Sequence, residues 1–110
     1  MGKRFLSVAD RDALDILLDD SKVRPVVIFK HSTSCPISAA AYREMEKYEG
    51  EVSLVVVQTA RDVSRELATI TGIRHESPQV IVLKDGKAVW NASHFQIKAG
   101  AVADAIESAP

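Results

Sequence analysis

The chain has 110 residues, one cysteine and a formal net charge of −1 at pH 7. Apolar residues make up 46% and charged residues 26%, a composition typical of an ordinary globular domain. The near-neutral charge gives no support for a nucleic-acid partner, and no apolar run approaches the ~20 residues that cross a bilayer. A single cysteine excludes an internal disulfide and predicts a reducing, cytoplasmic location. We therefore expect one domain over residues 1–110 with neither a nucleic-acid nor a membrane partner.

The first part of the chain predicts a strand, a helix and a second strand. Residues 4–7 form a short strand candidate, and Ser7 with Asp10 resembles a capping box that opens a helix ending near Leu18. Residues 26–30 are almost continuously apolar and rich in β-branched side chains. This pattern predicts a central strand that is covered on both faces.

The rest of the chain alternates between helical and strand patterns. Asp85 and Gly86 predict a hairpin turn, because both residues accept the positive φ of a type I′ turn. The resulting order βαβαβαββα predicts an α/β fold with a mixed sheet flanked by helices. The predicted elements are helix 35–48, strand 52–57, helix 62–70, strand 80–83, strand 88–90 and helix 98–108.

The cysteine stands between the predicted central strand and the next helix. Pro36 fits the first turn of that helix, where a backbone N–H has no helical partner. Unpaired N–H groups and the positive end of the helix dipole stabilise a thiolate at Cys35, and the thiolate is the nucleophile. A lone cysteine is usually a small buried hydrophobe, but the neighbours Ser32, Thr33 and Ser34 are not core residues. The position therefore predicts a reactive, accessible sulfur.

Cys35 and Ser38 form a Cys-x-x-Cys pattern in which a hydroxyl replaces the second sulfur. Ser38 cannot resolve a mixed disulfide, but its hydroxyl is expected to hydrogen-bond the Cys35 thiolate from the next helical turn. The chemistry left to one thiol is capture: the thiolate attacks a mixed disulfide, releases the client thiol and retains the small thiol. The spacing thus predicts a monothiol thiol–disulfide oxidoreductase with Cys35 and Ser38 as its catalytic residues.

Two other positions are candidates for the site. Base rates favour a trans Ser77–Pro78 bond at the start of a strand. With a cis bond, the Ser77 backbone would line the active-site edge and hold an extended substrate by β-like hydrogen bonds. His31, placed in the loop before Cys35, is a candidate proton donor or thiolate partner, or a loop residue without a role. No cysteine–histidine spacing matches a metal site, so no metal is expected.

Several separate strings agree in order and spacing with one known family. They are Phe29-Lys30-His31-Ser32, Cys35-Pro36-Ile37-Ser38, His75-Glu76-Ser77-Pro78-Gln79 and Lys84-Asp85-Gly86-Lys87-Ala88-Val89-Trp90, followed by Ala92-Ser93-His94. Together with the element order, these strings resemble the thioredoxin fold and, within it, the monothiol bacilliredoxins. The likeness covers nearly the whole chain.

The resemblance implies a thioredoxin-like three-layer fold with four or five strands, an attacking Cys35 and a cis Pro78. It implies clients that carry bacillithiol as a mixed disulfide, with bacillithiol as co-substrate and no bound cofactor. The family commonly has Thr before the cysteine; this chain has Ser34, which keeps the hydroxyl. The expected substrate-binding residues are His31, Ser34, Pro36, Ser77 and Pro78.

The sequence leaves the oligomeric state and a second function open. The expected oligomeric state is a monomer or a weak dimer. The alternative function is a binding module in which Cys35 is a metal or iron–sulfur cluster ligand between two chains. Monothiol glutaredoxins, which are similar in role, use their one cysteine in this way.

Overall fold

The computed structural model describes residues 5–110. Within this range the order of strands and α-helices is the predicted one, with a short 3₁₀ helix added before the last α-helix. The elements are β1 (Phe5–Ser7), α1 (Arg11–Asp20), β2 (Val26–His31), α2 (Pro36–Glu46), β3 (Val52–Val56), α3 (Arg61–Thr71), β4 (Gln79–Lys84), β5 (Lys87–Ser93), the 3₁₀ helix (His94–Gln96) and α4 (Ala99–Ser108).

The strands form one mixed sheet in the order β1-β3-β2-β4-β5. Strands β1 and β2 both run parallel to β3, whereas β4 runs antiparallel to β2 and to β5. Strand β2 therefore has a neighbour on each side, and all of its residues are buried. The predicted central strand and the predicted α/β class with a mixed sheet are confirmed.

Alternate side chains of β2 enter two separate hydrophobic clusters. Val26 and Ile28 belong to the cluster that includes residues of α1 and α3, while Val27 and Phe29 belong to the cluster that includes residues of α2 and α4. This division follows from the period of two in a strand, which sends successive side chains to opposite faces. The helices thus cover both faces of the sheet and give three layers.

The first helix begins later than its sequence pattern predicts. Asp10, not Ser7, is its N-cap, and its carboxylate accepts a hydrogen bond of 2.9 Å from the Ala13 N–H. Ser7 instead pairs with Leu54 in the β1–β3 ladder. The capping box predicted at Ser7 is wrong because strand pairing occupies that backbone. Arg4, the first residue of the predicted strand, lies outside the described residues.

The predicted turn between β4 and β5 is confirmed by its backbone angles. Asp85 and Gly86 have φ values of 55° and 72°, so both central residues adopt the positive φ that this hairpin requires. Helix α3 likewise ends at Gly72, which has a φ of 70°. None of the helices in residues 5–110 is long and apolar enough to span a membrane.

Candidate active site

Cys35 is the N-cap residue of α2. Its backbone is extended, its side chain is partly exposed, and its carbonyl accepts the first helical hydrogen bond from Ala39 at 2.9 Å. Pro36 follows as the first helical residue and is exposed. The next two N–H groups, those of Ile37 and Ser38, have no hydrogen-bond partner within residues 5–110. An N-cap side chain normally accepts from these two positions, although the sulfur accepts from neither here.

The hydroxyl of Ser38 is fully buried beneath the loop that carries the cysteine. Its oxygen lies 2.7 Å from His31 Nδ1 and accepts a hydrogen bond of 2.9 Å from the Ser32 N–H. Within residues 5–110, Cys35 is not among its hydrogen-bond partners. The predicted direct bond from Ser38 to Cys35 is therefore replaced by contacts that tie the loop to the end of β2.

His31 lies in the last position of β2 and not in the loop as predicted, because its carbonyl continues the ladder by accepting from the Val57 N–H at 3.0 Å. The ring is buried, with centroids 5.4 Å from Phe29 and 4.9 Å from Tyr42. Burial lowers the pKa of His31 below its usual 6.5, so the imidazole is mainly neutral at pH 7. Its contact with the site runs through Ser38.

Gln58 braces the polar loop before the cysteine, a role that the sequence patterns did not predict. Its amide nitrogen donates to Ser32 Oγ at 2.9 Å and to Ser34 Oγ at 3.1 Å, while its amide oxygen accepts from the Thr33 N–H at 3.3 Å. Gln58 follows the end of β3, which pairs in parallel with β2. No local sequence signal marks this contact, because only the strand order brings the two loops together.

The Ser77–Pro78 bond is cis, as the family resemblance implies. Because Gln79 pairs with Lys30, these two residues lie at the end of β2 from which the cysteine loop departs. Within the described residues, the backbone N–H and C=O of the partly exposed Ser77 have no hydrogen-bond partner. Its hydroxyl is buried and likewise has none, whereas the Pro78 carbonyl accepts from the His94 N–H at 3.1 Å.

Lys30 places a buried amine in the central strand, a second feature that the sequence patterns did not predict. Its side chain is fully buried and donates to Gln79 Oε1 at 3.3 Å, while Gln79 Nε2 donates to the Arg74 carbonyl at 3.1 Å. Burial lowers the pKa of Lys30 from 10.5 to about 8. These contacts tie β2 to the segment that leads into Pro78.

Replacing Lys30 with methionine is expected to raise the free energy of unfolding at pH 7 by about 1–3 kcal/mol, because a buried charge disappears. The folded-state pKa is about 8 and the unfolded-state value is 10.5, so the charged amine opposes folding fully below pH 8. That cost diminishes as the pH rises from 8 to 10.5, since the folded state releases its proton first. Urea unfolding of both proteins across about pH 7–10 measures the difference.

Lys22→Met is the matched control, because its amine is exposed and its side chain keeps 69% of its accessible surface. This variant should change stability by less than about 0.5 kcal/mol at every pH. A constant difference between wild type and Lys30→Met across this pH range would contradict the lowered pKa of Lys30.

The donor groups around the cysteine do not converge on a metal site. Within residues 5–110 no group of three or more His, Cys, Asp or Glu side chains is arranged to hold an ion. His75 instead bonds Ser64 Oγ at 3.1 Å through Nδ1.

Comparison with known proteins identifies the family. The sequence matches the family described as monothiol bacilliredoxin BrxC over residues 7–102. The chain belongs to the monothiol bacilliredoxin family. Its membership, together with the fold, assigns it a thiol redox function.

Solved structures agree with this fold. A protein described as a candidate oxidoreductase with a thioredoxin fold is 32% identical to this bacilliredoxin-family chain, with a TM-score of 0.84 and 93% of each chain covered. Fasciola hepatica thioredoxin is 19% identical, with a TM-score of 0.71 over 93% of this chain and 96% of that one. A mutant thioredoxin from Halobacterium salinarum NRC-1 is 22% identical, with a TM-score of 0.71 over 96% of this chain and 89% of that one. The predicted thioredoxin-like fold is confirmed.

Proposed function

We propose that the protein is a monothiol thiol–disulfide oxidoreductase that removes bacillithiol from cytoplasmic client proteins. The Cys35 thiolate attacks the bacillithiol sulfur of the client mixed disulfide, and the client leaves as a thiolate that then takes up a proton. A free bacillithiol thiolate next attacks the Cys35–bacillithiol disulfide. This second exchange forms oxidised bacillithiol and regenerates the Cys35 thiolate, so electrons balance over the two steps.

The position of Cys35 as the N-cap of α2 is the observation that carries this proposal. The amides of Ile37 and Ser38 are unpartnered within residues 5–110 and stand at the two positions that an N-cap acceptor uses. A thiolate that accepts from them would also meet the positive end of the helix dipole. Backbone donors thereby take the stabilising role that the sequence spacing indicated for the Ser38 hydroxyl.

The remaining site residues support substrate binding in different ways. Exposed Ser34 and Pro36 flank the sulfur in sequence. The Ser77 backbone groups, unpartnered within residues 5–110, offer a donor and an acceptor to an extended client segment beside Pro78. Buried His31 acts as a positioning residue through Ser38. The proposed partners are bacillithiolated proteins and a low-molecular-weight thiol, for a monomer or weak dimer with no nucleic-acid or membrane partner.

Intact mass spectrometry tests the monothiol mechanism and the small thiol together. Purified protein is incubated with oxidised bacillithiol and, separately, with oxidised glutathione. We expect a Cys35 adduct of bacillithiol to form at least about tenfold faster than the glutathione adduct. Equal rates would contradict bacillithiol specificity, and no adduct with either disulfide would contradict thiol exchange at Cys35.

The Ser38→Cys variant provides a direct check on the absence of a resolving thiol. Residues three apart on a helix are neighbours, so a second sulfur at this position would attack the Cys35 adduct internally. The variant should expel the bound thiol and end as an internal disulfide, with the corresponding loss of mass. An adduct that persists equally in both proteins would contradict the proposed mechanism of resolution.

A further inference from the structure

A surface cavity of about 560 Å³ lies beside the cysteine loop, between α3, the end of β3 and the segment before Pro78. We call it the α3 cavity. The polar residues that line it are Gln58, Arg61, Ser64, Arg65, Thr69 and His75. None of these residues has a part in the thiol exchange described above beyond the support that Gln58 gives to the loop.

Two walls of the α3 cavity are continuous with the candidate active site. Gln58 bonds the hydroxyls of Ser32 and Ser34, so its amide contacts the residue that directly precedes Cys35 in the loop. On the other side, His75 stands in the segment that ends at Pro78. Cys35 itself does not line the cavity, so a small molecule joined to its sulfur would reach the cavity past Ser34 and Gln58.

The charge of the α3 cavity favours an anion. Arg61 forms no ion pair within residues 5–110, and the ion pair of Arg65 is a 3.6 Å contact with Asp62, whose side chain is fully exposed. No Asp or Glu side chain among the described residues lines the cavity. Two guanidinium groups one helical turn apart present planar donor forks that match carboxylates.

The neighbouring cavity provides an internal comparison. It has a volume of about 480 Å³, lies between α1 and α3 and shares Gln58 and Arg61 with the α3 cavity. Its lining also includes Asp10, Asp62 and Glu66, and Arg11 there is paired with Glu66 at 3.2 Å. Carboxylates of a ligand would meet like charge in that cavity, so the α3 cavity is the better anion site.

We propose that the α3 cavity binds the carboxylate-bearing end of the low-molecular-weight thiol during exchange at Cys35, with Arg61 and Arg65 as the carboxylate-binding residues. This inference rests on the proposed function and names the chemical group of the small thiol that the protein binds beside the cysteine loop. Bacillithiol ends in a malate group with two carboxylates, and glutathione also carries two. Both thiols share the chemistry that the cavity recognises, whereas 2-mercaptoethanol lacks it.

His75 and Ser64 complete the lining as neutral hydrogen-bonding groups. Burial, with a contribution from the nearby Lys30 charge, lowers the pKa of His75 below 6.5, so its imidazole is mainly neutral at pH 7. Ser64 Oγ holds the Nδ1 side of that ring at 3.1 Å, which leaves Nε2 as the nitrogen without a protein partner in residues 5–110. The charge in the cavity therefore comes from the two arginines.

The test compares wild type with the Arg61→Gln/Arg65→Gln double variant on three mixed disulfides of one client peptide. With the bacillithiol and glutathione disulfides, KM should rise about tenfold while kcat changes less than about twofold. The reason is that the arginine contacts bind the substrate and the transition state equally. With the 2-mercaptoethanol disulfide, neither constant should change. The control variant Lys22→Gln/Arg24→Gln removes the same amount of charge at the opposite end of β2. Its KM and kcat should match those of wild type on all three mixed disulfides.

The possible outcomes separate this inference from the proposed function. An unchanged KM for both carboxylate thiols, or an equal rise for 2-mercaptoethanol, overturns the role of the α3 cavity. If wild type releases glutathione but not bacillithiol, a KM effect of about tenfold on glutathione supports the cavity while the bacillithiol assignment fails.

Two measurements keep the inference testable, the first if the double variant does not fold and the second also if wild type releases no thiol. The KM of wild type for the carboxylate thiols should rise with added NaCl, and that for 2-mercaptoethanol should not. S-methyl bacillithiol, which cannot exchange, should bind wild type in calorimetry and lose about threefold in affinity when Arg61 or Arg65 alone becomes Gln. Absence of both effects overturns the proposal.

Discussion

Replacing Cys35 with serine is expected to slow release of bacillithiol from a client protein by about 10³-fold or more. The reaction needs a thiolate that attacks sulfur, and Cys35 is the only cysteine in the chain. A serine hydroxyl at the same N-cap position is able to cap the helix but is not ionised at neutral pH, so it cannot form the covalent intermediate. Release is measured with a client protein that carries one bacillithiol, by loss of the adduct mass over time.

Cys35→Ala is the companion variant, because it removes the nucleophile and offers no side-chain acceptor at the N-cap position. We expect the serine and alanine variants to be equally inactive, while alanine alone lowers the free energy of unfolding by about 1 kcal/mol relative to serine. Release at the wild-type rate by either variant would remove Cys35 from the mechanism and return it to the role of a structural thiol.

Ser38→Ala is expected to lower the free energy of unfolding by about 1–3 kcal/mol and to slow exchange at Cys35 by about tenfold. The buried hydroxyl is the hydrogen-bond partner of His31 Nδ1 and the Ser32 N–H, and both lose that partner in the variant. The loop that carries Cys35 then loses its tie to β2. Urea unfolding measures the stability change, and the iodoacetamide alkylation rate measures the reactivity of the sulfur.

Ser108→Ala controls for loss of a serine hydroxyl in a helix, since Ser108 is exposed at the end of α4. Its effect on stability should stay within about 0.5 kcal/mol, and it should leave the alkylation rate unchanged. If Ser38→Ala were as stable and as reactive as this control, the buried hydrogen bonds of Ser38 would have no part in holding the loop.

The strand–loop–helix that presents Cys35 was predictable from sequence because its signals are local. An apolar run, polar loop residues and a proline in the first turn of a helix act over a few residues, and β2 and α2 form where they indicate. The hairpin at Asp85 and Gly86 was predictable for the same reason, since positive φ is a property of the residues themselves. Residue periodicity was also sufficient to order the elements and indicate a mixed sheet.

Local signals failed where a distant segment competed for the same group. Ser7 has the features of a helix cap, but pairing with β3 takes its backbone into a strand. Ser38 lies one helical turn from Cys35, yet the buried His31 and the Ser32 N–H occupy its hydroxyl. In both cases the sequence identified a polar group that can form a hydrogen bond. It could not identify which partner the fold would bring nearest to that group.

The amino-acid sequence by itself determined the single sulfur, its place at the start of a helix, the family and the α/β order of elements. Tertiary structure decided which distant groups meet: Gln58 contacts the cysteine loop, buried Lys30 contacts Gln79, and Arg61 and Arg65 line a cavity together with Gln58. The physical reason is that capping, turn formation and periodicity depend on neighbouring residues. Contacts between residues distant in the chain depend on strand order and register, which only the packed sheet establishes.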